Sequence, residues 1–168
     1  MSRVLGLDLG TRRIGVALSD PTGTVAAPLQ TIAHAALHKD LAEAAALARA
    51  YAVDRIVIGW PRNMDGSVGP AARRAEAFAR ALRRLVGVPV DLWDERLSTA
   101  AAERALIESN ARRDHRRAVR DRVAAALIVQ AYLEARPWEK EKATALPTPE
   151  RSEGRRGSGV GPADEPAS

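Results

Sequence analysis

Two kinds of apolar pattern alternate along the chain, and their order predicts an α/β protein. Short continuous runs of apolar and β-branched residues predict strands, whereas apolar residues that recur at helical spacing predict helices. The run "RIVIGW" at 55–60 is typical of a central strand covered on both faces. The predicted elements are strands at 4–9, 14–19 and 24–32, a helix at 38–52, a strand at 55–60, a helix from Ser67 or Pro70 to 86, a strand at 88–93, and helices at 98–109 and 118–135.

The order of these elements predicts a mixed β-sheet of about five strands flanked by helices on both faces. A Gly-Thr-Arg-Arg turn joins the first two strands as a hairpin, and Pro28 places the third strand at a sheet edge. The later strands alternate with helices and are expected to run parallel. Residues 1–136 are therefore predicted to form one domain that binds ligands at the carboxyl ends of its parallel strands.

Residues 137–168 differ in composition from the predicted domain. They contain five of the ten prolines and almost no apolar residue after Trp138, which predicts a disordered tail. The tail has five Lys or Arg and six Asp or Glu, so its net charge is −1. Because the whole chain has a net charge of +5, residues 1–136 have a net charge of +6. A positive domain favours a polyanionic partner such as a nucleic acid.

Composition also excludes several kinds of site. The chain has no cysteine, so disulfides and thiolate metal sites are excluded. The three histidines, His34, His38 and His115, have no ligand spacing, which leaves oxygen ligands for any divalent cation. No run approaches the roughly 20 apolar residues of a membrane span, and no signal peptide is evident, so a soluble cytoplasmic protein is expected.

Carboxylates occur at the ends of two predicted strands. Asp8 interrupts an apolar strand near its end, and Asp94 and Glu95 follow the strand at 88–93. A buried carboxylate needs a partner, which can be a metal ion or a hydrogen-bond donor. Asp8 taken alone could accept hydrogen bonds from the glycine-rich turn. Asp94 is expected to pair with an arginine, because adjacent strand residues point to opposite faces.

The last predicted helix supplies a fourth carboxylate. Asp121 shares a helix face with alanines, an isoleucine and a tyrosine, so it is predicted to point towards the sheet. The small alanines allow a close approach that would bring Asp121 to the edge holding Asp8 and Glu95. An ion pair with Arg120 or Arg122 is the alternative. Converging carboxylates repel one another unless a cation neutralises them, and Mg²⁺ suits such oxygen ligands.

Six arginines occur in the segment "RRDHRRAVRDR" at 112–122. Such a run can be a solvated helix start, but arginine also makes bidentate contacts with phosphate, so we predict a phosphate-binding surface. Aromatic residues are only 4% of the chain, which favours recognition of backbone charge over base reading. The predicted nucleic-acid-binding residues are Arg112, Arg113, Arg116 and Arg117 in this segment, with Arg12, Arg13, Arg62 and Arg96 around the carboxylates.

The predicted domain contains four strings that carry a family resemblance, "LGLDLGTRRIGVALSD", "IVIGWPRNMDGSVGP", "DERLSTAAAE" and "RDRVAAALIVQAYLEA". In order and spacing they resemble the YqgF/RuvX family of Holliday-junction resolvases and pre-16S rRNA nucleases. The resemblance implies a ribonuclease-H-like fold and a nuclease dependent on Mg²⁺ or Mn²⁺, with Asp8, Glu95 and Asp121 as metal ligands and Asp94 as a further catalytic candidate. Gly59 stands where other resolvases of this fold carry an acidic residue, so the choice between Asp94 and Glu95 stays open.

Three functions are compatible with these features. The first is a metal-dependent nuclease, which would use the carboxylates, the arginines and the positive charge. The second function is a phosphotransferase or ATPase, because the string "DLGTRRIGVA" also resembles the phosphate-binding hairpin of actin and the sugar kinases. Those proteins need two such domains and a longer chain. A non-catalytic RNA-binding module would use the carboxylates structurally. We predict the nuclease. The family resemblance alone favours the 5′ end of pre-16S rRNA as the substrate and implies branched DNA as the alternative, and the enzyme would act as a monomer or a homodimer.

Overall fold

The computed structural model describes residues 3–97 and 113–139. Its strands lie within two residues of the predicted ones. The elements are β1 Val4–Leu9, β2 Arg13–Ser19, β3 Ala26–Ala33, α1 Leu37–Ala50, β4 Arg55–Trp60, α2 Pro70–Leu85, β5 Val90–Asp94, a 3-10 turn Glu95–Leu97, and α3 Arg113–Ala135.

Helix α1 and the end of α2 lie within two residues of their predicted bounds. Helix α2 begins at Pro70, the later of its two predicted starts, because Gly69 is its N-cap residue and proline fits the first helical turn. Helix α3 begins at Arg113, five residues before the predicted start, and so includes most of the arginine-rich segment. The helix predicted at 98–109 lies outside the described residues.

The five strands in the described residues form one mixed sheet, in the order β3-β2-β1-β4-β5. Strand β2 is antiparallel to both β1 and β3, whereas β1, β4 and β5 are parallel. This arrangement confirms the predicted mixed sheet and the edge position of the strand that contains Pro28. The carboxyl ends of β1, β4 and β5 therefore meet at one edge of the sheet, which we call the carboxyl edge.

Helices cover both faces of the sheet. Leu5 and Leu7 of β1 join Ile56 and Ile58 of β4 in a core that also contains the buried residues of α1 and α2, such as Phe78. Because strand residues alternate in direction, the residues between them face the opposite layer, where α3 packs across β1, β2, β3 and β4. None of the helices in 3–97 and 113–139 is long and apolar enough to cross a membrane.

The second half of α3 is fixed to the sheet by a polar and aromatic contact. The Tyr132 side chain, only 1% exposed, donates a hydrogen bond to Asp91 of β5. Arg55 of β4 donates to the same Asp91 carboxylate at 2.8 Å, and the Tyr132 ring meets Trp93 edge to face at 5.7 Å. Burial raises the pKa of Tyr132, so the hydroxyl keeps its proton as a donor. Asp121 lies about three turns earlier on the same helix.

The compact unit that contains the sheet ends at Pro137. The disordered tail predicted for residues 137–168 lies almost wholly outside the described residues.

Candidate active site

Asp8 is buried on the face of the sheet that α3 covers. Gly6, two residues earlier on β1, faces α3 so closely that a Cβ atom there would lie 2.1 Å from Val129 Cγ2. Because side chains two residues apart on a strand share a face, Asp8 points to the same side. It is 3% exposed and pairs in register with Gly15 of β2. Asp8 thus lies under the helix that carries Asp121.

Asp121 reaches the carboxyl edge because α3 touches β2 at a glycine. A Cβ atom at position 15 would lie 2.0 Å from the Asp121 carbonyl oxygen and 3.0 Å from the Arg122 amide nitrogen. The Asp121 carboxylate extends towards the hairpin turn, where its Oδ2 atom is 3.6 Å from the Cβ position of Gly10. Asp121 is 5% exposed, and its backbone lies against Gly15, the residue of β2 that pairs with Asp8.

Glu95 occupies the space above Gly59, the residue that follows Ile58 on β4. Since Leu7 pairs with Ile58, Gly59 lies beside Asp8 on the other side from β2. A Cβ atom at position 59 would be 2.7 Å from Glu95 Oε1. Glu95 is 7% exposed and begins the 3-10 turn after β5. The Glu95 carboxylate thus fills the space that a side chain at position 59 of β4 would occupy.

Glycines on both sides of Asp8 therefore make room for two further carboxylates that come from separate chain segments. Each of the three carboxylates has an interaction partner in the structure, and for Asp121 this includes the alternative ion pair with Arg120, whose Nε atom lies 3.5 Å from Asp121 Oδ1. No three histidine, aspartate or glutamate side chains in residues 3–97 and 113–139 form a ready-made metal-binding group. Mg²⁺ is commonly held by only one or two carboxylates, with water and substrate phosphate completing the shell. The three buried carboxylates offer only oxygen ligands, which are the ligands that Mg²⁺ prefers.

Asp94 has a different environment from Glu95. It accepts hydrogen bonds from the Arg96 guanidinium, at 3.0 Å from Nε and 2.6 Å from Nη2, and it lies 3.6 Å from Arg62 Nη1. The Arg96 hydrogen bonds hold the pKa of the Asp94 carboxyl below its usual range. The structure thus contains the predicted pairing of Asp94 with an arginine.

The two acidic neighbours should respond differently to neutralisation. We expect Glu95→Gln to lower the rate of the nuclease reaction that the family resemblance implies by at least about a hundredfold, since even groups that only orient metal ligands contribute 10- to 100-fold. Asp94→Asn should cost less than about tenfold, because it removes a charge that Arg96 and Arg62 already neutralise. Single-turnover rates of the two variants would measure this difference. A larger loss in Asp94→Asn would reverse the assignment within the pair.

The predicted arginines fall into two groups. Arg12 and Arg13 lie in and after the hairpin turn that follows β1, whereas Arg62 and Arg96 follow β4 and β5. All four are thus in segments at the carboxyl edge. Within the second group, the Arg62 guanidinium also stacks 4.7 Å above the Trp60 ring. In the arginine-rich segment, Arg112 lies outside the described residues, and the other three, Arg113, Arg116 and Arg117, belong to the first turns of α3.

Arg74 is a site residue that the sequence did not predict. From α2 its Nη2 atom donates hydrogen bonds to the carbonyl oxygens of Leu9 at 2.9 Å and Gly10 at 2.5 Å. These two carbonyls directly follow Asp8, so Arg74 holds the backbone at the end of β1 and the start of the hairpin turn. Only the packing of α2 beside the turn reveals this contact, since the residues are more than sixty positions apart in the chain.

Comparison with known proteins identifies close relatives of the whole domain. Residues 2–135 match the family model described as RuvX, Holliday junction resolvase. A protein of Moorella thermoacetica is 52% identical over 132 residues, covering 79% of this chain and 94% of the relative. A protein of Geobacillus kaustophilus is 51% identical over 136 residues, covering 80% and 99%. The names of both relatives propose a pre-16S rRNA nuclease.

Solved structures show the same fold at low sequence identity. RuvC of Thermus thermophilus matches with a TM-score of 0.50 and 14% identity, covering 79% of this chain and 96% of that protein. The same protein in complex with a Holliday junction substrate also matches with a TM-score of 0.50. The likeness confirms the predicted ribonuclease-H-like fold.

Proposed function

Because the chain belongs to the RuvX family of Holliday junction resolvases, we propose that this nuclease uses its buried carboxylates to hydrolyse phosphodiester bonds at the 5′ end of pre-16S rRNA. The observation that supports the proposal is the pair of glycines on either side of Asp8, because Asp121 packs against Gly15 and Glu95 packs against Gly59. The choice of RNA follows the names of the relatives, two of which are about half identical to this chain. A ribosomal RNA precursor as substrate also implies action in the cytoplasm.

The three carboxylates are proposed to hold Mg²⁺ or Mn²⁺. When bound, such an ion activates a water molecule and stabilises the leaving oxygen of the scissile phosphate. Asp8 would be the central ligand, since it lies between the positions covered by Asp121 and Glu95. Arg74 would keep the backbone after Asp8 in place, because it holds the two following carbonyl groups. Burial of the carboxylates limits their motion and excludes bulk water.

The arginines are proposed to bind the phosphate backbone. Arg12, Arg13, Arg62 and Arg96 follow the ends of β1, β4 and β5, where a scissile phosphate would have to lie. The positive charge of residues 1–136 attracts any nucleic acid regardless of sequence. Phosphate contacts then position the substrate without reading bases.

Branched DNA is the second candidate substrate, favoured by the description of the family as Holliday junction resolvases. Resolution of a four-way junction requires two active sites related by two-fold symmetry, and so a homodimer. An RNA-trimming enzyme can act as a monomer. Oligomeric state on the substrate therefore separates the two candidates independently of cleavage.

The test is a side-by-side assay on precursor 16S rRNA and on a four-way DNA junction, with Mg²⁺, Mn²⁺ or EDTA. We expect metal-dependent cleavage of the RNA precursor near its 5′ end, inhibition by EDTA, and little activity on the junction. Symmetric cuts in the junction with intact RNA would favour the resolvase. If the protein binds RNA but cleaves neither substrate with either metal, it is a binding module and the proposal is wrong.

The salt dependence of binding tests the arginine-rich segment. Each phosphate contact steepens the log-log dependence of affinity on salt by roughly 0.7 to 0.9. Changing Arg112, Arg113, Arg116 and Arg117 together to alanine should therefore flatten the slope by about two to four units and weaken RNA and DNA binding alike. The slope is measured by fluorescence anisotropy at several salt concentrations.

A control for that experiment removes exposed arginines elsewhere. Arg49 and Arg84 end α1 and α2, beside the segments that lead into β4 and β5 and opposite the carboxyl edge. Their joint replacement by alanine should change the slope by less than one unit, because arginines that do not contact phosphates release few counterions. An unchanged slope in the quadruple variant would mean that the segment is a solvated helix start and that Arg12, Arg13, Arg62 and Arg96 bind the phosphates.

A further inference from the structure

The loop between β4 and α2 exposes an apolar side chain at the carboxyl edge. Met64 is 91% exposed, the highest value among the large apolar residues that are exposed in the described part of the chain. A single exposed apolar residue is ordinary in a soluble protein. Two features make this one unusual, namely the rigidity of the loop that presents it and the charge of the residues around it.

The polar side chains of the loop bind one another and leave Met64 outside. The Asn63 side chain donates to Ser67 Oγ at 2.9 Å, and Ser67 Oγ donates to Asp65 Oδ1 at 2.6 Å. The same Asp65 oxygen accepts the Ser67 amide at 2.9 Å, and the Ser67 hydrogen bonds lower the pKa of Asp65. Backbone bonds close the turn between Asn63 and Ser67 at 3.0 Å and between Gly66 and Asn63 at 2.8 Å. Met64 is thus presented by a backbone that is held in one shape.

The loop is also fixed to the candidate active site. The Arg62 Nε atom donates to the Gly66 carbonyl oxygen at 3.0 Å, and the same guanidinium lies 3.6 Å from Asp94, the residue before Glu95. Gly66 has a φ of +86°, which permits the tight turn and lets the guanidinium groups of Arg62 and Arg96 pass close to it. The loop that carries Met64 is therefore bonded to Arg62, whose guanidinium also lies near Asp94, the residue before Glu95.

We propose that Met64 is a wedge that inserts against an unstacked base of the nucleic acid next to the scissile phosphate. Methionine is among the apolar residues that proteins insert between base steps, and its polarisable sulfur contacts aromatic rings favourably. The neighbouring arginines bind phosphates on either side of such a base. The wedge selects substrates whose bases unstack at low cost, such as a junction between paired and unpaired nucleotides. This proposal rests on the proposed nuclease function.

Fluorescence of 2-aminopurine tests the wedge without cleavage. The Asp8→Asn protein, which leaves the substrate intact, is titrated into a hairpin RNA with a 5′ single-stranded extension and into a four-way DNA junction. Each carries 2-aminopurine in turn at every position flanking the branch or the end of the helix. We expect one or two probe positions to brighten on binding, because unstacking relieves quenching. Adding Met64→Ala should abolish that increase and weaken binding about three- to tenfold.

Matched variants separate a wedge from a loss of structure. Met64→Leu should keep the fluorescence increase, whereas Met64→Gln, of similar length but polar, should lose it. Leu85→Ala removes another exposed apolar side chain at the opposite end of α2 and should behave as the parent. All four variants should melt within a few degrees of the parent, since both side chains are exposed.

Three results would overturn the proposal. Unchanged fluorescence and affinity in Met64→Ala and Met64→Gln would mean that Met64 does not insert against a base, and would favour a protein partner for this side chain. Equal losses in Met64→Leu and Met64→Gln would mean that the apolar character of the side chain is irrelevant. If the Asp8→Asn protein with Met64 intact binds neither nucleic acid, both the wedge and the proposed function fail, whereas binding with no effect of the Met64 variants overturns the wedge alone.

Discussion

Replacing Asp8 by asparagine is expected to lower the cleavage rate by about a thousandfold or more while substrate binding stays the same or tightens. Asparagine has nearly the same shape, so the packing between Gly15 and Gly59 is kept. The change removes the central negative charge that would hold the cation and that repels the phosphate. Cleavage is measured under single-turnover conditions, and binding by anisotropy in the absence of divalent metal.

Thermal melting gives a second measurement of the same change. Mn²⁺ or Mg²⁺ should raise the melting temperature of the parent, because an ion that binds only the folded state stabilises it, and this increase should disappear in Asp8→Asn. Asp54→Asn is the control, since this carboxylate accepts the Arg3 amide at 2.9 Å near the start of β4, at the opposite end of the strand. It should keep both the cleavage rate and the metal response. Full activity in Asp8→Asn would remove Asp8 from the active site.

The strands were predictable from the sequence because burial on both faces leaves a continuous apolar run. Strand β4 matches its predicted bounds for this reason, and the edge strand β3 could be placed by Pro28. Helix starts were less predictable, since several residues near a start can act as caps. Ser67 looked like a cap, yet its hydroxyl is used within the loop and Gly69 takes the cap position.

The candidate acidic residues could be picked out in the sequence, because Asp8 and Asp121 interrupt apolar patterns and Glu95 follows a predicted strand. Their arrangement could not, since it depends on register between strands that are far apart in the chain. Gly15 and Gly59 become significant only once β1 is paired with β2 and β4, which places them on both sides of Asp8. The alanines of α3 were expected to permit its close approach to the sheet. The glycines on the strands account for the shortest separations.

The most severe structural effect is expected from Gly15→Ala. The added methyl would lie 2.0 Å from the Asp121 carbonyl oxygen and 2.3 Å from its carbonyl carbon. These are backbone atoms that cannot rotate away, so α3 must move from the sheet. Overpacking of this kind costs about 1–3 kcal/mol or more, which corresponds to a fall in melting temperature of roughly 5–10 °C. Calorimetry would measure the fall.

The same substitution should also lower cleavage, because the displaced helix carries Asp121. A shift of about 1 Å at a catalytic group costs on the order of a hundredfold in rate. Gly87→Ala is the matched control, since no atom lies within 4 Å of its Cβ position and its backbone is not left-handed. It should keep full activity and melt at or slightly above the parent temperature, as expected where alanine fits the native backbone. A Gly15→Ala protein with the parent's melting temperature and activity would mean that α3 does not rest on β2 at this glycine, and Asp121 would then have to reach the carboxyl edge by another path.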